Sequence, residues 1–265
     1  MRIFIISLKN ALARRENILN QIASLGENPA FEFHIFDAID GREEDREGGR
    51  EFEKNPMPSE YCPPPSQKTI ISKYYCAFLA KLYRGRELSP CELGCFASHF
   101  LLWEKCVQIN ESIIVLEDDI EILPNFFDAL THIAKNRFEY VRLMQLSTAK
   151  SCQLDEHFGF LKHYAFGTQG YYLTPKGAQK FLRYAKKWVE PVDDYVDRYW
   201  KHHNYNVIYF PHPIRQNFHA LESTIGDRDS TLNKNLLLKT SRGIRKRYQK
   251  LVKYFYDSFV LSWRF

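Results

Sequence analysis

Three consecutive carboxylates follow a short apolar run in the middle of the chain. Residues 113–116 are wholly apolar and are followed by Glu117, Asp118 and Asp119. Adjacent carboxylates repel one another, and a bound divalent cation relieves that repulsion. Oxygen ligands suit Mg²⁺ or Mn²⁺, and such an ion can neutralise charge on a departing phosphate. The pattern predicts a metal site, and a plain acidic turn after a strand is the alternative interpretation.

The alternation of side chains along an extended segment assigns different roles to the three carboxylates. It puts Glu117 and Asp119 on one face and Asp118 on the other. We therefore expect Glu117 and Asp119 to share the metal, directly or through water, and Asp118 to bind ribose hydroxyls or the backbone. The loop-like stretch that contains His212 and His219 could supply a third ligand, and His219 is our candidate.

A second acidic group follows Pro191. Asp193 and Asp194 are adjacent there, and Asp197 lies one helical turn later. A carboxylate held away from the metal could act as a general base. The alternative is a helix N-terminus, where acidic residues interact favourably with the helix dipole, and the local pattern alone favours it.

Two cysteines and a histidine share a helical spacing further upstream. Cys91, Cys95 and His99 lie at i, i+4 and i+8, which suggests a zinc site. Structural zinc sites favour closely spaced cysteine pairs, and no second pair is present. Thiols buried on an apolar helix face are therefore the favoured interpretation.

The elements that must position these residues follow the pattern of an α/β sheet. An apolar run over residues 3–6 predicts a strand over residues 2–8. A helix over residues 11–25 and a second strand over residues 31–38 follow, which is the opening of a parallel sheet. Ser89 and Glu92 form a capping-box pattern for a helix over residues 90–109. Because ligands bind at the carboxyl ends of such strands, the acidic run after residue 116 is well placed.

Later segments continue this alternation. We predict strands over residues 113–116, 140–147, 166–174 and 207–210, and helices over residues 124–136, 175–188 and 195–202. Residues 43–68 interrupt the pattern with charge runs and five prolines and form an insertion. The predicted organisation is one catalytic domain over residues 1–233 and a tail over residues 234–265.

Charge is distributed unevenly over the 265 residues. The net charge is +5, but the tail has nine Lys or Arg and one Asp, so it carries +8 and the remainder −3. An acidic body without a recognition motif argues against nucleic acid as a partner. With 45% hydrophobic residues the chain is expected to fold. No long apolar run and no signal-peptide pattern is visible, so we expect a cytoplasmic location.

The tail has the pattern of a basic amphipathic helix over residues 244–263. Its apolar residues recur at helical spacing: Ile244, Tyr248, Leu251, Val252, Phe255, Tyr256, Phe259 and Trp263. Five of the other twelve positions are basic, which favours contact with the inner-membrane surface. Packing on the body and a homodimer interface are the alternatives.

Six segments, in order over roughly residues 3–225, resemble one family. They are residues 5–8 with Arg14 and Arg15, 36–42, 88–99 with Trp103, 115–119, 170–173 with Gly177 and Ala178, and 191–194. Together they resemble glycosyltransferase family 25, the lipopolysaccharide and lipooligosaccharide biosynthesis glycosyltransferases. Cys91 departs from the pattern, where we expect glycine.

The resemblance implies a GT-A-like fold, a Rossmann-type α/β sandwich with an acidic metal motif. It implies an inverting transfer of a hexose, galactose or else glucose, from a UDP-sugar to a lipooligosaccharide core, with Mn²⁺ or Mg²⁺ as cofactor. Animal relatives in this family galactosylate collagen hydroxylysine. A non-catalytic carbohydrate-binding or assembly protein that kept the fold is the alternative.

The resemblance also implies residue roles. Glu117, Asp118 and Asp119 match the motif that holds the metal and the donor diphosphate, Asp194 is our candidate base and Asp193 its substitute. The residues expected to line the uridine side are Ser7, Leu8, Arg14, Ala38, Asp40 and Arg42, with Ser98 and His99 as supporting residues.

Overall fold

The computed structural model describes residues 1–42, 67–217 and 236–259. The described strands are β1 (Arg2–Ser7), β2 (Glu32–Asp37), β3 (Ile113–Glu117), β4 (Ile120–Ile122), β5 (Tyr140–Arg142), β6 (Cys152–Gln153), β7 (Phe158–Phe160), β8 (Gly170–Leu173), β9 (Val207–Tyr209) and β10 (Ile214–Gln216). The described helices are α1 (Leu12–Ser24), α2 (Gln67–Tyr74), α3 (Ala77–Arg84), α4 (Pro90–Ile109), α5 (Phe126–Ala134), α6 (Pro175–Tyr184), α7 (Val192–Val196), α8 (Tyr199–His202) and α9 (Leu236–Phe259).

One mixed sheet of eight strands forms the centre, in the order β2-β1-β3-β8-β5-β9-β7-β6. Strand β1 runs parallel to both β2 and β3. Strand β8 is antiparallel to β3 and to β5, and β9 returns parallel to β5. Strands β4 and β10 form a separate antiparallel pair. The parallel opening predicted from the sequence is confirmed, and the later strands make the sheet mixed.

The sheet is buried on both faces because helices pack on each side of it, and successive side chains of a strand enter opposite cores. Phe4 and Ile6 belong to the core on the α4 and α6 side, together with Trp103. Ile3 and Ile5 belong to the core on the α1 and α5 side. Helices on both faces of a large central sheet give a mixed α/β architecture consistent with a Rossmann-like sandwich.

Helix α4 begins as the sequence predicts. The Ser89 side chain accepts from the Glu92 backbone N–H at 3.2 Å, and the Glu92 carboxylate accepts from the Ser89 N–H at 2.8 Å. Arg86 forms a bidentate ion pair with the same carboxylate at 2.6 and 2.7 Å. The helix ends at Asn110, whose φ of 52° is the left-handed conformation of a helix C-terminus.

Several predicted boundaries are wrong. The strand predicted over residues 140–147 ends at Arg142, and the strand predicted over residues 166–174 begins only at Gly170. Positive φ angles at Phe166 and Gly167 prevent an earlier start. The helix predicted over residues 195–202 is two short helices, α7 and α8.

Helix α9 packs on the body through one side. Ser241 donates to the Leu82 carbonyl at 3.2 Å, and the Tyr199 hydroxyl donates to Asp257 at 2.7 Å. The Arg245 guanidinium lies 3.0 Å from the centre of the Tyr83 ring. Within the described ranges, no helix is long and apolar enough to cross a membrane.

Candidate functional site

The carboxyl ends of three parallel strands meet at one edge of the sheet. The register pairs Ser7 with Asp37 and Ile6 with Glu117, so β1, β2 and β3 end side by side. A cleft opens at this edge, as expected for a parallel α/β arrangement. It is lined by eleven residues that the sequence predicts for the donor or the metal: Ser7, Leu8, Arg14, Ala38, Asp40, Arg42, Ser98, His99, Glu117, Asp118 and Asp119.

Asp118 is fixed at the floor of this cleft. The Ser7 hydroxyl donates to its Oδ2 at 2.6 Å, and the Arg14 guanidinium lies 3.2 Å from its Oδ1. Burial raises the pKa of Asp118 above its ordinary value, while Ser7 and Arg14 partly oppose the rise. This part of the cleft therefore combines the Asp118 carboxylate with the positive charge of the Arg14 guanidinium.

Glu117 is held from the other side by His99 and Thr168. His99 Nε2 lies 3.3 Å from Glu117 Oε1, and the Thr168 hydroxyl donates to the same oxygen. Burial raises the pKa of Glu117, but these hydrogen bonds and the charge on Arg14 outweigh it, and the pKa lies below the ordinary value. Glu117 is therefore ionised near neutral pH and available to a cation.

A buried chain of hydrogen bonds orients the His99 ring. The Trp103 indole donates to the Tyr171 hydroxyl oxygen at 2.9 Å, and that hydroxyl lies 2.9 Å from His99 Nδ1. An indole N–H can only donate, so the Tyr171 oxygen accepts from Trp103. These contacts hold the imidazole ring with Nε2 facing Glu117.

Asp119 is the least satisfied of the three carboxylates. Its Oδ1 is buried and has no hydrogen-bond partner in the described part of the chain. Burial, together with repulsion from Glu117 and Asp118, raises the pKa of Asp119 to about 7. Asp119 thus lacks a hydrogen-bond partner for one oxygen and lies near the ionised Glu117. A hard divalent cation would supply the missing interaction and relieve the repulsion, so these residues fit Mn²⁺ or Mg²⁺.

The backbone segment that follows β2 lines the cleft and lies in close contact with α4. The Ser98 hydroxyl accepts from the Ile39 N–H at 2.9 Å and donates to the Gly94 carbonyl at 2.8 Å. A Cβ at Gly94 would lie 2.3 Å from the Ile39 carbonyl oxygen, so only glycine fits there. Next to it, hydrogen bonds from Arg42 hold the pKa of Asp40 below its ordinary value.

Cys95, His99 and Glu117 form a cluster that could also hold a metal ion. One ligand atom of each lies within 4.8 Å of the other two. Cys91 is not part of this cluster, although Cys91 and Cys95 are both half-buried and line the cleft. The thiols predicted to be buried on an apolar helix face are thus at the cleft wall.

A second cleft meets the first at the acidic run. Both are lined by Cys95, Glu117 and Asp119. Asp193 lines the second cleft, and its Oδ1 accepts from the Asp194 N–H at 2.9 Å. The Asp194 side chain instead forms an ion pair with Arg84. Of the two carboxylates considered as a base, Asp193 is therefore the one that lines the second cleft.

The profile of glycosyltransferase family 25, described as an LPS biosynthesis protein, matches residues 1–196. The chain belongs to this family. The match ends just after Asp194. It spans every residue that lines the two clefts except Gln216 and Asn217, which lie further along the chain.

Three relatives illustrate the range of the family. A glycosyltransferase 25 family member of Aedes aegypti is 28% identical over 213 residues, 76% of this chain and 31% of the relative. Procollagen galactosyltransferase 1 of Danio rerio is 31% identical over 150 residues, 51% of this chain and 23% of the relative. Lipooligosaccharide biosynthesis protein lex-1 of Haemophilus influenzae is 30% identical over 126 residues, 42% of each chain. The aligned part is thus less than half of each of these relatives.

The sequence of this family 25 chain did not predict three other residues that line the clefts, which are Thr168, Gln216 and Asn217. Thr168 reaches Glu117 because β8 lies antiparallel to β3, and the Glu117 N–H donates to the Gln169 carbonyl at 2.8 Å. Gln216 and Asn217 line the first cleft because β10 pairs with β4. His219, the predicted third metal ligand, lies outside the described residues, as does most of the insertion predicted over residues 43–68.

Proposed function

We propose that this protein is a metal-dependent, inverting hexosyltransferase of GT-A-like organisation. It would move galactose, or else glucose, from a UDP-sugar to the core of lipooligosaccharide or lipopolysaccharide. The observation that carries the proposal is the junction of two clefts at Glu117 and Asp119. A group-transfer enzyme needs a donor site and an acceptor site that meet at the reacting atoms, and this junction has that form.

The first cleft would take the UDP-sugar. Glu117 and Asp119 would hold Mn²⁺ or Mg²⁺, and that cation, when bound, supplies positive charge to the diphosphate that leaves with UDP. Arg14, fixed against Asp118, adds a second positive charge beside the same wall. The backbone after β2, with Asp40 and Arg42, would border the uridine.

The second cleft would take the acceptor. We assign the general base to Asp193 rather than to Asp194, because Asp193 lines that cleft and Asp194, which is ion-paired with Arg84, does not. Asp193 would remove the proton of the acceptor hydroxyl as its oxygen attacks the anomeric carbon. UDP departs from the opposite face, so the configuration at that carbon inverts.

The names of two relatives support the choice of sugar and acceptor. A procollagen galactosyltransferase favours galactose as the transferred hexose, and a lipooligosaccharide biosynthesis protein favours a lipooligosaccharide acceptor. The alignment covers 42% of the Haemophilus influenzae relative and only 23% of the Danio rerio relative. We therefore propose the lipooligosaccharide acceptor.

Helix α9 would bring the enzyme to this acceptor by resting on the inner-membrane surface. Its side away from the body exposes an apolar stripe, made of Ile244, Tyr248, Leu251, Phe255 and Phe259. Arg247 is exposed next to this stripe, and exposed Lys250 and Lys246 lie further round the helix. An exposed apolar stripe on a helix that also exposes basic residues suits an anionic lipid surface. Each basic residue near that surface contributes about 1 kcal/mol of binding free energy.

A UDP-release screen tests the proposed reaction. UDP-galactose, UDP-glucose and other UDP-sugars would be incubated with lipooligosaccharide freed of its fatty acids, with Mn²⁺ or with EDTA. We expect acceptor-dependent UDP release from UDP-galactose or UDP-glucose that EDTA abolishes. Full activity in EDTA would contradict the metal role, and no release from any donor would favour the non-catalytic alternative. Glu117→Gln should lose this release, whereas Asp128→Asn, at an exposed carboxylate on α5, is the matched control and should keep it.

Vesicle sedimentation tests the membrane contact. Wild-type protein is expected to bind vesicles that contain phosphatidylglycerol and not vesicles of phosphatidylcholine alone. Leu251→Glu with Phe255→Glu changes only the exposed stripe and should abolish binding, whereas removal of all of α9 would also expose the body surface beneath it. Unchanged binding would contradict the proposal, and a dimer that this double variant dissociates would identify the stripe as a homodimer interface instead.

A further inference from the structure

Phe166 is an exposed aromatic residue in a costly backbone conformation at the second cleft. Its side chain is 51% exposed, and its φ of 59° lies in the left-handed region. A bulky residue rarely adopts that conformation, and such residues persist only where the surrounding structure fixes them. A single exposed apolar residue needs no explanation by itself, but the conformation that presents this ring does.

The conformation is imposed by a buried ion pair beneath the loop. Both oxygens of Asp197 accept backbone N–H groups, Oδ1 from Ala165 and Oδ2 from Phe166, each at 3.0 Å. Arg142 pairs with Asp197 at 2.8 Å, and its other nitrogen donates to the Gly167 carbonyl at 2.7 Å. Arg142 and Asp197 are each 2% exposed. Because a broken buried pair is strongly destabilising, this pair holds the loop firmly.

The same loop reaches the reacting end of the site. Thr168, two residues after Phe166, donates to Glu117. Phe166, Thr168, Glu117 and Asp193 all line the second cleft. Tyr164 stacks beside Phe166 with 6.0 Å between ring centres and 17° between planes. The aromatic ring is therefore positioned on a rigid support beside both the metal-binding carboxylate and the assigned base.

We propose that Phe166 is the platform on which the sugar ring of the acceptor stacks. The inference rests on the proposed function, since it takes the second cleft to be the acceptor site. The face of a pyranose ring that carries axial C–H bonds is apolar and polarised positive, and it suits the negative face of an aromatic ring. Asp193 and Thr168 would supply the small number of polar groups that fix the orientation of a ligand in such a site. Stacking would orient the acceptor hydroxyl toward Asp193.

Two substitutions separate the ring from the backbone conformation. Phe166→Gly removes the ring, and glycine adopts the left-handed conformation without strain, so the loop can keep its course. Phe166→Tyr keeps an aromatic face at the same place and is the rescue variant. The measurement is the Kd of fatty-acid-free lipooligosaccharide at saturating UDP and Mn²⁺, by calorimetry, with the Kd of UDP and the melting temperature measured beside it.

We expect Phe166→Gly to weaken oligosaccharide binding by about tenfold. Its UDP affinity should stay within about twofold and its melting temperature should not fall. Phe166→Tyr should stay within about threefold of the wild type. The platform is refuted if Phe166→Gly binds the oligosaccharide as the wild type does, if the tyrosine variant is as weak as the glycine variant, or if the wild type binds no oligosaccharide.

The outcomes distinguish this inference from the proposed reaction. Ring-dependent oligosaccharide binding by a protein that releases no UDP from any UDP-sugar would refute the transferase and leave the platform standing. Sugar transfer that Phe166→Gly leaves unchanged would refute the platform and leave the transferase.

Discussion

Replacing Asp119 with asparagine should make the metal-free protein more stable at alkaline pH. The carboxylate has a buried oxygen without a partner in the described part of the chain, and two neighbouring carboxylates repel it. Asparagine has nearly the same shape and no charge. The substitution therefore removes the repulsion while it leaves the packing in place.

The expected magnitude follows from the pKa. The pKa of Asp119 rises from 3.8 to about 7, and each unit corresponds to about 1.4 kcal/mol. The ionised Asp119 carboxylate therefore lowers the free energy of unfolding by at most about 4 kcal/mol. Because the cleft admits water and an amide must still be accommodated, we expect Asp119→Asn to raise the free energy of unfolding by about 1–3 kcal/mol at pH 8.

The sign of the pH dependence is fixed by the direction of the shift. Since the pKa of Asp119 in the folded protein is raised, its proton stabilises the fold at low pH, and this stability is lost as the pH rises from about 4 toward 7. The difference between the variant and the wild type should therefore be larger at pH 8 than at pH 5.

Urea denaturation in EDTA at both pH values measures this difference. Asp128→Asn, an exposed carboxylate, should change stability by no more than about 0.5 kcal/mol at either pH. Mn²⁺ should then stabilise the wild type, by about 2.7 kcal/mol at a hundredfold excess over its Kd, and the Asp119 variant much less. A loss of stability in Asp119→Asn at pH 8, or an equal gain at both pH values, would refute the reasoning.

Three further predictions concern the same site. The affinity for Mn²⁺, measured by calorimetry, should fall up to about tenfold for each pH unit below 7, because Asp119 must lose its proton to bind the ion; a flat profile between pH 6 and 8 would contradict this. Gly94→Ala should lower the free energy of unfolding by about 2 kcal/mol or more, because its Cβ would lie 2.3 Å from the Ile39 carbonyl oxygen; a melting temperature equal to that of the wild type would contradict the close approach. Asp193→Asn should reduce kcat by about 10²-fold or more without changing the Kd of UDP, and Asp194→Asn should have a smaller effect; the reverse order in steady-state kinetics would return the base to Asp194.

The residues that the sequence predicts for the donor side lie together in the first cleft. Wholly apolar runs before Ser7 and Glu117 predict buried strands, and parallel strands place their carboxyl ends at one edge. The structure has these strands as β1 and β3 and brings the predicted donor-side residues to that edge. The capping box of Ser89 and Glu92 likewise fixed the start of α4 correctly.

The second cleft could not be predicted in the same way. It depends on β8 lying antiparallel between β3 and β5, and Gly170–Leu173 is buried at every position, so its pattern carries no sign of strand direction. Phe166 and Thr168 reach the site only through that placement. The difference between Asp193 and Asp194 depends on Arg84, 110 positions away from Asp194 in the chain. Long-range contacts of this kind leave no local pattern.

The most direct test of the account is the binding of UDP with and without Mn²⁺. If Glu117 and Asp119 hold the metal that meets the donor diphosphate, the wild type should bind UDP tightly in Mn²⁺ and at least about tenfold more weakly in EDTA. Glu117→Gln should reduce the affinity in Mn²⁺ to the EDTA value, and Asp128→Asn should leave it unchanged. Equal UDP affinity in Mn²⁺ and in EDTA, together with an unaffected Glu117→Gln variant, would contradict the central claim.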